Sequence, residues 1–163
     1  MRIFTLGYQG ISLSDYIEAL DRAAIDVVID IRETAWSYKP GFSKAPLSIG
    51  LHEAGIRYIH LKSAGNPSKN RKTARNSQEC LRRYKQHLLK NPGCLDELSE
   101  LIEVARREKQ RICLTCFEKH ATECHRSVLI GELVKRIRHL SPVHLFSEIK
   151  DHQPVVGTTR LRL

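Results

Sequence analysis

The residues able to do chemistry gather in one stretch, residues 111–130, which reads RICLTCFEKHATECHRSVLI. It carries the thiols Cys113, Cys116 and Cys124, the carboxylate Glu118, the imidazoles of His120 and His125, and the guanidinium of Arg126. Cys116 and Glu118 stand two apart, so an extended backbone aims both at one space. A carboxylate beside thiols in a partly buried pocket is a candidate for proton transfer. Cys124 and His125 lie at the first turn of an expected helix, with Thr122 as its candidate cap. The macrodipole there favours an anion and lowers a thiol pKa. Two chemistries are open at that turn. One is a reactive thiolate at Cys124. The other is an anion cradle of backbone N–H groups, His125 and Arg126. The cradle is the better reading, because no Cys heads a loop of suitable length ending in Arg, as in cysteine phosphatases and sulfurtransferases.

A metal is the third chemistry. Cys113 and Cys116 have C-x-x-C spacing, but on a strand side chains three apart point to opposite faces, so this pair holds neither a metal nor a disulfide. Cys113 is read as core. Cys116 and Cys124, with His120 or His125, offer three or four zinc ligands. Their spacing is that of no familiar zinc module and no second C-x-x-C completes it, so the site is assigned no metal and no cofactor.

The elements that must position this stretch follow from hydrophobic periodicity. Strands are expected over 2–6, 26–31, 56–61, 111–116 and 142–146. Helices are expected over 12–23, 46–54, 77–89 and 95–107, and again after Cys124. Ser12 and Asp15 form a capping-box pattern, and Gly55 is a helix C-terminal signal. The run DVVIDI over 26–31 is nearly all apolar, as in a strand buried on both faces of a parallel sheet. Alternating strands and helices predict an α/β fold: one domain over 1–150, a three-layer sandwich with a mostly parallel sheet of about five strands, Rossmann-like. Residues 151–163 form an unassigned tail. Open sheets of this kind bind ligands beyond the carboxyl ends of their strands. Tyr8, Asp30, Arg32, Lys62, Cys116, Glu118 and Ser147 fall at those ends.

The chain has 163 residues, 41% hydrophobic and 28% charged, a composition that excludes disordered and fibrous classes. The N-terminus lacks a secretory pattern and no apolar run spans a bilayer, so no membrane partner is expected. Five cysteines, an odd number, argue for reduced thiols and a cytoplasmic protein. The net charge of +9 is concentrated: residues 62–90 hold nine Lys or Arg against the single acid Glu79. Part of that segment, 62–75, is expected to be a long basic loop. Clustered charge points to nucleic acid or a nucleotide as partner, with Lys69, Arg71, Lys72, Arg75, Arg82 and Arg83 on phosphates. Trp36, Tyr38, Phe42 and Tyr84 are available to stack on bases, with plain packing as the competing reading. Nothing in the sequence specifies an oligomer.

Together these motifs resemble an uncharacterised family, the domain of unknown function 488. The resemblance rests on T-L-G-Y at Thr5–Tyr8, V-V-I-D-I-R at Val27–Arg32, Pro40 and Phe42, and A-G-I-R-Y-I-H-L at Ala54–Leu61. It continues through Arg83-Tyr84, L-T-C-F-E at Leu114–Glu118 and C-H-R at Cys124–Arg126. One departure is Lys62-Ser63-Ala64-Gly65, where members commonly show a leucine-glycine pair. The resemblance implies a compact α/β protein with a shared polar pocket at Tyr8, Asp30, Arg32, Cys116, Glu118, Cys124, His125 and Arg126, and it carries no established activity.

The expected function is an intracellular enzyme acting on nucleic acid or a nucleotide. Its catalytic set is Glu118, Asp30, Cys116, Cys124 and His125, with Glu118 or Asp30 as acid or base. Arg32, Arg126 and Tyr8 hold an anionic group. The alternatives are a non-catalytic nucleic-acid-binding module and a thiol- or metal-responsive protein.

Overall fold

The computed structural model describes residues 1–146; the expected strand-end residue Ser147 and the tail 151–163 lie outside them. Five strands, β1 (Arg2–Gly7), β2 (Val27–Asp30), β3 (Arg57–His60), β4 (Ile112–Cys116) and β5 (Ser141–His144), pair in the order β3-β2-β4-β1-β5. Every pairing is parallel, so the sheet expected to be mostly parallel is wholly so. β2 and β4 are interior and buried at every position, which is why both read as nearly continuous apolar runs, interrupted only by Asp30 and Thr115.

Period-two alternation sends successive side chains to different helical layers. Ile3, Val27, Ile29, Ile112, Leu114 and Cys116 pack against α4 (Ser77–Lys90), α5 (Gly93–Arg107) and α6 (His125–Arg136). Phe4, Leu6, Val28 and Cys113 pack against α1 (Leu13–Arg22) and α2 (Lys44–Glu53). Cys113 and Cys116 thus stand on opposite faces. Ser12 caps α1, its hydroxyl accepting from the Asp15 amide at 3.1 Å, and Gly55 takes a positive φ of 73° just past α2.

The segment expected as a long basic loop is instead structured. A 3₁₀ turn (Lys62–Ala64) leads into a short helix, α3 (Ser68–Thr73). The capping group comes from far away in sequence: Glu33, beyond β2, accepts from the Ser68 amide at 2.7 Å. Gly65 permits that contact, since a Cβ there would lie 2.2 Å from the Glu33 nitrogen. The fifth strand begins at Ser141 and ends at His144, short of the expected 142–146.

Because β4 inserts between β1 and β2, the chain leaves β1 and β2 toward the α1–α2 layer but leaves β4 toward α6. The crevice that opens where these paths diverge is the place this architecture offers a ligand.

Candidate active site

A cavity of about 830 Å³ opens there. Its lining comes from the carboxyl ends of four strands: Tyr8 after β1, residues between Arg32 and Lys39 after β2, residues between Asn66 and Leu81 after β3, and Cys116, Phe117, Glu118, Glu123 and His125 at and after the end of β4. The fully buried Cys124 is not part of it.

The floor is the stretch singled out by its residue types. Cys116 is the last residue of β4, and its thiol donates to Glu118 Oε2 at 3.2 Å. His125 opens α6, and its Nδ1 lies 3.6 Å from Cys116 Sγ and 3.8 Å from Cys124 Sγ. One ligand-type atom from each of Cys116, Glu118, Cys124 and His125 falls within 4.8 Å of all the others. His120 is not in this group; its ring faces Phe146 at 6.2 Å. The cap of α6 is Cys124 itself, whose Sγ accepts from the Arg126 amide at 3.5 Å, in place of the expected Thr122. Burial pushes the Cys124 thiol well up, which disfavours a thiolate there despite the helix terminus. Burial also opposes charge on Glu118, but hydrogen bonds from the Cys124 and Cys116 thiols and its own amide outweigh it and hold its pKa below the usual value. These hydrogen bonds therefore favour the ionised carboxylate of Glu118.

Asp30 and Arg32 form a closed unit. Asp30 is fully buried and accepts from Arg32 Nε at 2.8 Å, the Arg32 amide at 3.1 Å and the Tyr58 hydroxyl at 2.7 Å. It does not line the cavity. Arg32 reaches the wall, where its Nη1 donates to the Tyr8 hydroxyl at 2.7 Å and the Phe42 carbonyl at 2.8 Å. With Asp30, these acceptors occupy four of its five N–H donors. Tyr8, pushed up in pKa by burial, stacks on Phe42 at 4.3 Å.

Arg126 is 1% exposed and absent from the lining. Its Nη2 donates to the Glu118 and Lys119 carbonyls at 2.6 and 3.4 Å, and its Nε is buried without a partner among the described residues. Arg126 thus ties down the loop that presents Glu118.

The four aromatic candidates divide. Phe42 and Tyr84 are core. Trp36 and Tyr38, 56% and 92% exposed, meet edge to face at 4.2 Å on the cavity wall. Of the basic segment, Arg71 lines the cavity and pairs with Glu33 at 3.2 Å. Arg82 and Arg83 share Glu79, and Arg83 also donates to Thr73 Oγ1 at 2.6 Å. Lys69, Lys72, Arg75 and Arg82 are exposed on α3, α4 and the link between them.

Sequence reasoning missed Glu33, Lys39, Asn76 and Cys80 on the wall. Only Glu33, just past the V-V-I-D-I-R strand end, lies where the strand-end rule would have found it.

A family model described as Domain of unknown function DUF488 matches residues 12–133. No curated protein and no solved structure matches the chain.

Proposed function

Since the chain belongs to the DUF488 family, whose description assigns no activity, we propose from the site itself that this protein is an enzyme of the cell interior acting on a nucleotide unit, free or within a nucleic acid. One observation carries the reading. A single cavity of nucleotide-compatible size joins an exposed aromatic pair, a cation of the basic segment and a titratable floor.

The base stacks against Trp36 and Tyr38. Its phosphate meets Arg71, and neighbouring phosphates of a polymer follow Lys69, Lys72, Arg75 and Arg82 along α3 and α4. Glu118 accepts a proton from the attacking water or hydroxyl, held in place by the Cys116 thiol and by Arg126 behind it. Asp30, enclosed by Arg32 and Tyr58, serves as scaffold in this reading. The five reduced cysteines fit a reducing compartment.

The test is binding of labelled single- and double-stranded oligonucleotides and of mononucleotides across a salt series. Log affinity is expected to fall linearly with log salt, with the slope reduced by about one for each phosphate-holding cation neutralised among Arg71, Lys72, Arg75 and Arg82. Removing the Trp36 and Tyr38 rings weakens binding by about 1–3 kcal/mol per stacked base. Glu118→Gln keeps binding but lowers turnover on the order of 100-fold or more. No binding at low salt removes the reading, and turnover indifferent to Glu118→Gln removes the catalytic role.

Arg126 provides an internal control. Because its guanidinium is shielded and committed to carbonyls, Arg126→Met is expected to lower stability by about 1–2 kcal/mol, a balance of lost charge-assisted hydrogen bonds against a relieved buried charge. The salt slope stays unchanged. A slope lower by about one in this variant would instead make Arg126 a phosphate contact.

A further inference from the structure

Cys116, Glu118 and His125 line the cavity floor, Cys124 is fully buried beside them, and the four groups together have a geometry that proton transfer alone does not require. An ion held about 2.3 Å from sulfur and about 2.0–2.2 Å from nitrogen or oxygen sets tetrahedral ligand–ligand separations of roughly 3.3–3.8 Å. Cys116 Sγ stands 3.2 Å from Glu118 Oε2 and 3.6 Å from His125 Nδ1, and Cys124 Sγ stands 3.8 Å from that same nitrogen. These are close to three of the six edges of such a tetrahedron, and all four atoms lie within 4.8 Å of one another, so small side-chain rotations close the remaining edges onto an ion.

A second, independent observation concerns the imidazole. His125 Nε2 lies 2.9 Å from the Ile31 carbonyl oxygen, an acceptor only, so Nε2 carries the hydrogen. The tautomer is then fixed, and the Nδ1 lone pair faces the two sulfurs. This backbone-anchored arrangement is the usual outer support of a metal-ligating histidine. The ring is held edge-on against Tyr84 at 5.0 Å.

We propose that Cys116, Glu118, Cys124 and His125 form a binding site for one divalent ion of the zinc class. Cys116, Cys124 and His125 are the buried, fixed ligands, and half-buried Glu118 is the ligand on the cavity side. Binding releases the two thiol protons to solvent. Two thiolates and one carboxylate against a dication leave one net negative charge, which the Arg126 guanidinium, anchored on the Glu118 carbonyl, offsets. Three fixed ligands with one exchangeable position is the pattern of a catalytic rather than a structural zinc site. When a substrate atom displaces Glu118, the carboxylate is released beside it as a base. The ion site stands independently of the nucleotide reading, since its occupancy is measured without any nucleotide.

The experiment uses the full chain, with zinc content determined by elemental analysis as purified. The metal-free chain is then titrated with Co(II), followed by Zn(II) displacement. About one zinc per chain is expected, with a sulfur-to-cobalt charge-transfer absorption that zinc abolishes. Cys116→Ser and Cys124→Ser should each diminish that absorption, and Cys80→Ser and Cys113→Ser should leave it intact. Glu118→Gln, altering the most accessible ligand, should keep the charge-transfer band but weaken affinity on the order of 10–100-fold or more. If a buried-cysteine variant does not fold, the Glu118→Gln and Cys80→Ser titrations still decide. A chain purified without metal that develops no charge-transfer band with Co(II) overturns the proposal. So does a band that persists with unchanged affinity in Cys116→Ser and Cys124→Ser, or an affinity unmoved by Glu118→Gln.

Discussion

Asp30→Ala, with Arg32 left in place, is expected to lower the free energy of unfolding by about 3–5 kcal/mol in denaturant melts, the range for removing one partner of a buried ion pair. Both side chains sit at the carboxyl end of β2, 0% and 6% exposed. Asp30 satisfies the Arg32 amide, its Nε and Nη2, and the Tyr58 hydroxyl. Without the carboxylate, a guanidinium remains in the interior with only the Tyr8 hydroxyl and the Phe42 carbonyl as acceptors. The loss should be mostly the penalty of that stranded charge. Asp30→Ala combined with Arg32→Met therefore recovers a large share, about 2 kcal/mol or more. A single-variant loss below about 1 kcal/mol, or a double variant as unstable as the single, would deny the pair this role. The same substitution also reaches the cavity, because Arg32 is what pins the Tyr8 ring and the Phe42 loop against its wall.

The pair also marks how far the sequence can be read. The mostly parallel character of the sheet was legible because β2 and β4 carry nearly continuous apolar runs, and the separation of Cys113 from Cys116 followed from strand period alone. The position of the cavity followed from topology, since polar residues ended nearly every expected strand. What was not legible depends on contacts between distant segments. Nothing local to KSAGNPSKNRKTAR announces the helix Ser68–Thr73, because its cap is Glu33, on the far side of β3. Phe42 and Trp36 have similar sequence surroundings, yet one is stacked in the core on Tyr8 and the other is exposed on the cavity wall. Arg126 has the sequence of an anion-holding helix start. Only the course of the loop 117–123 turns its guanidinium onto carbonyls. That course also brings Glu118 back to Cys116, Cys124 and His125, a grouping with no recognisable linear spacing.

The course of that loop has a specific cause, and Gly7→Ala exposes it. Past its last ladder pair, Gly7 with Cys116, β1 continues beside the loop: the Tyr8 amide donates to the Cys116 carbonyl at 3.2 Å and the Gln9 amide to the Phe117 carbonyl at 2.8 Å. The loop then folds over Gly7, and a Cβ there would lie 1.7 Å from the Glu118 carbonyl oxygen and 2.6 Å from its carbon. Both obstacles are backbone, so no side-chain rotation relieves them. Alanine must lift the Glu118 peptide, which breaks the 2.6 Å bond from Arg126 and draws the Glu118 carboxylate away from the Cys116 thiol. The expected loss is about 2–4 kcal/mol of stability, typical of forced overpacking with a broken buried hydrogen bond. The consequence for the site should be larger than for the fold. The sheet and both cores keep their contacts, while amide exchange at 117–119 rises toward solvent rates, any Glu118-dependent activity is lost and metal affinity is weakened. Gly93→Ala is the matched control, since nothing lies within 4 Å of its would-be Cβ, on the first helical residue of α5. It should be neutral or stabilising by roughly 0.5–1 kcal/mol. If Gly7→Ala matched it in stability and in protection of the loop, the close approach would not be what positions Glu118. The loss of site order at near-native fold would instead make Gly7 of the T-L-G-Y segment a determinant of the site, although it carries no side chain to bring there.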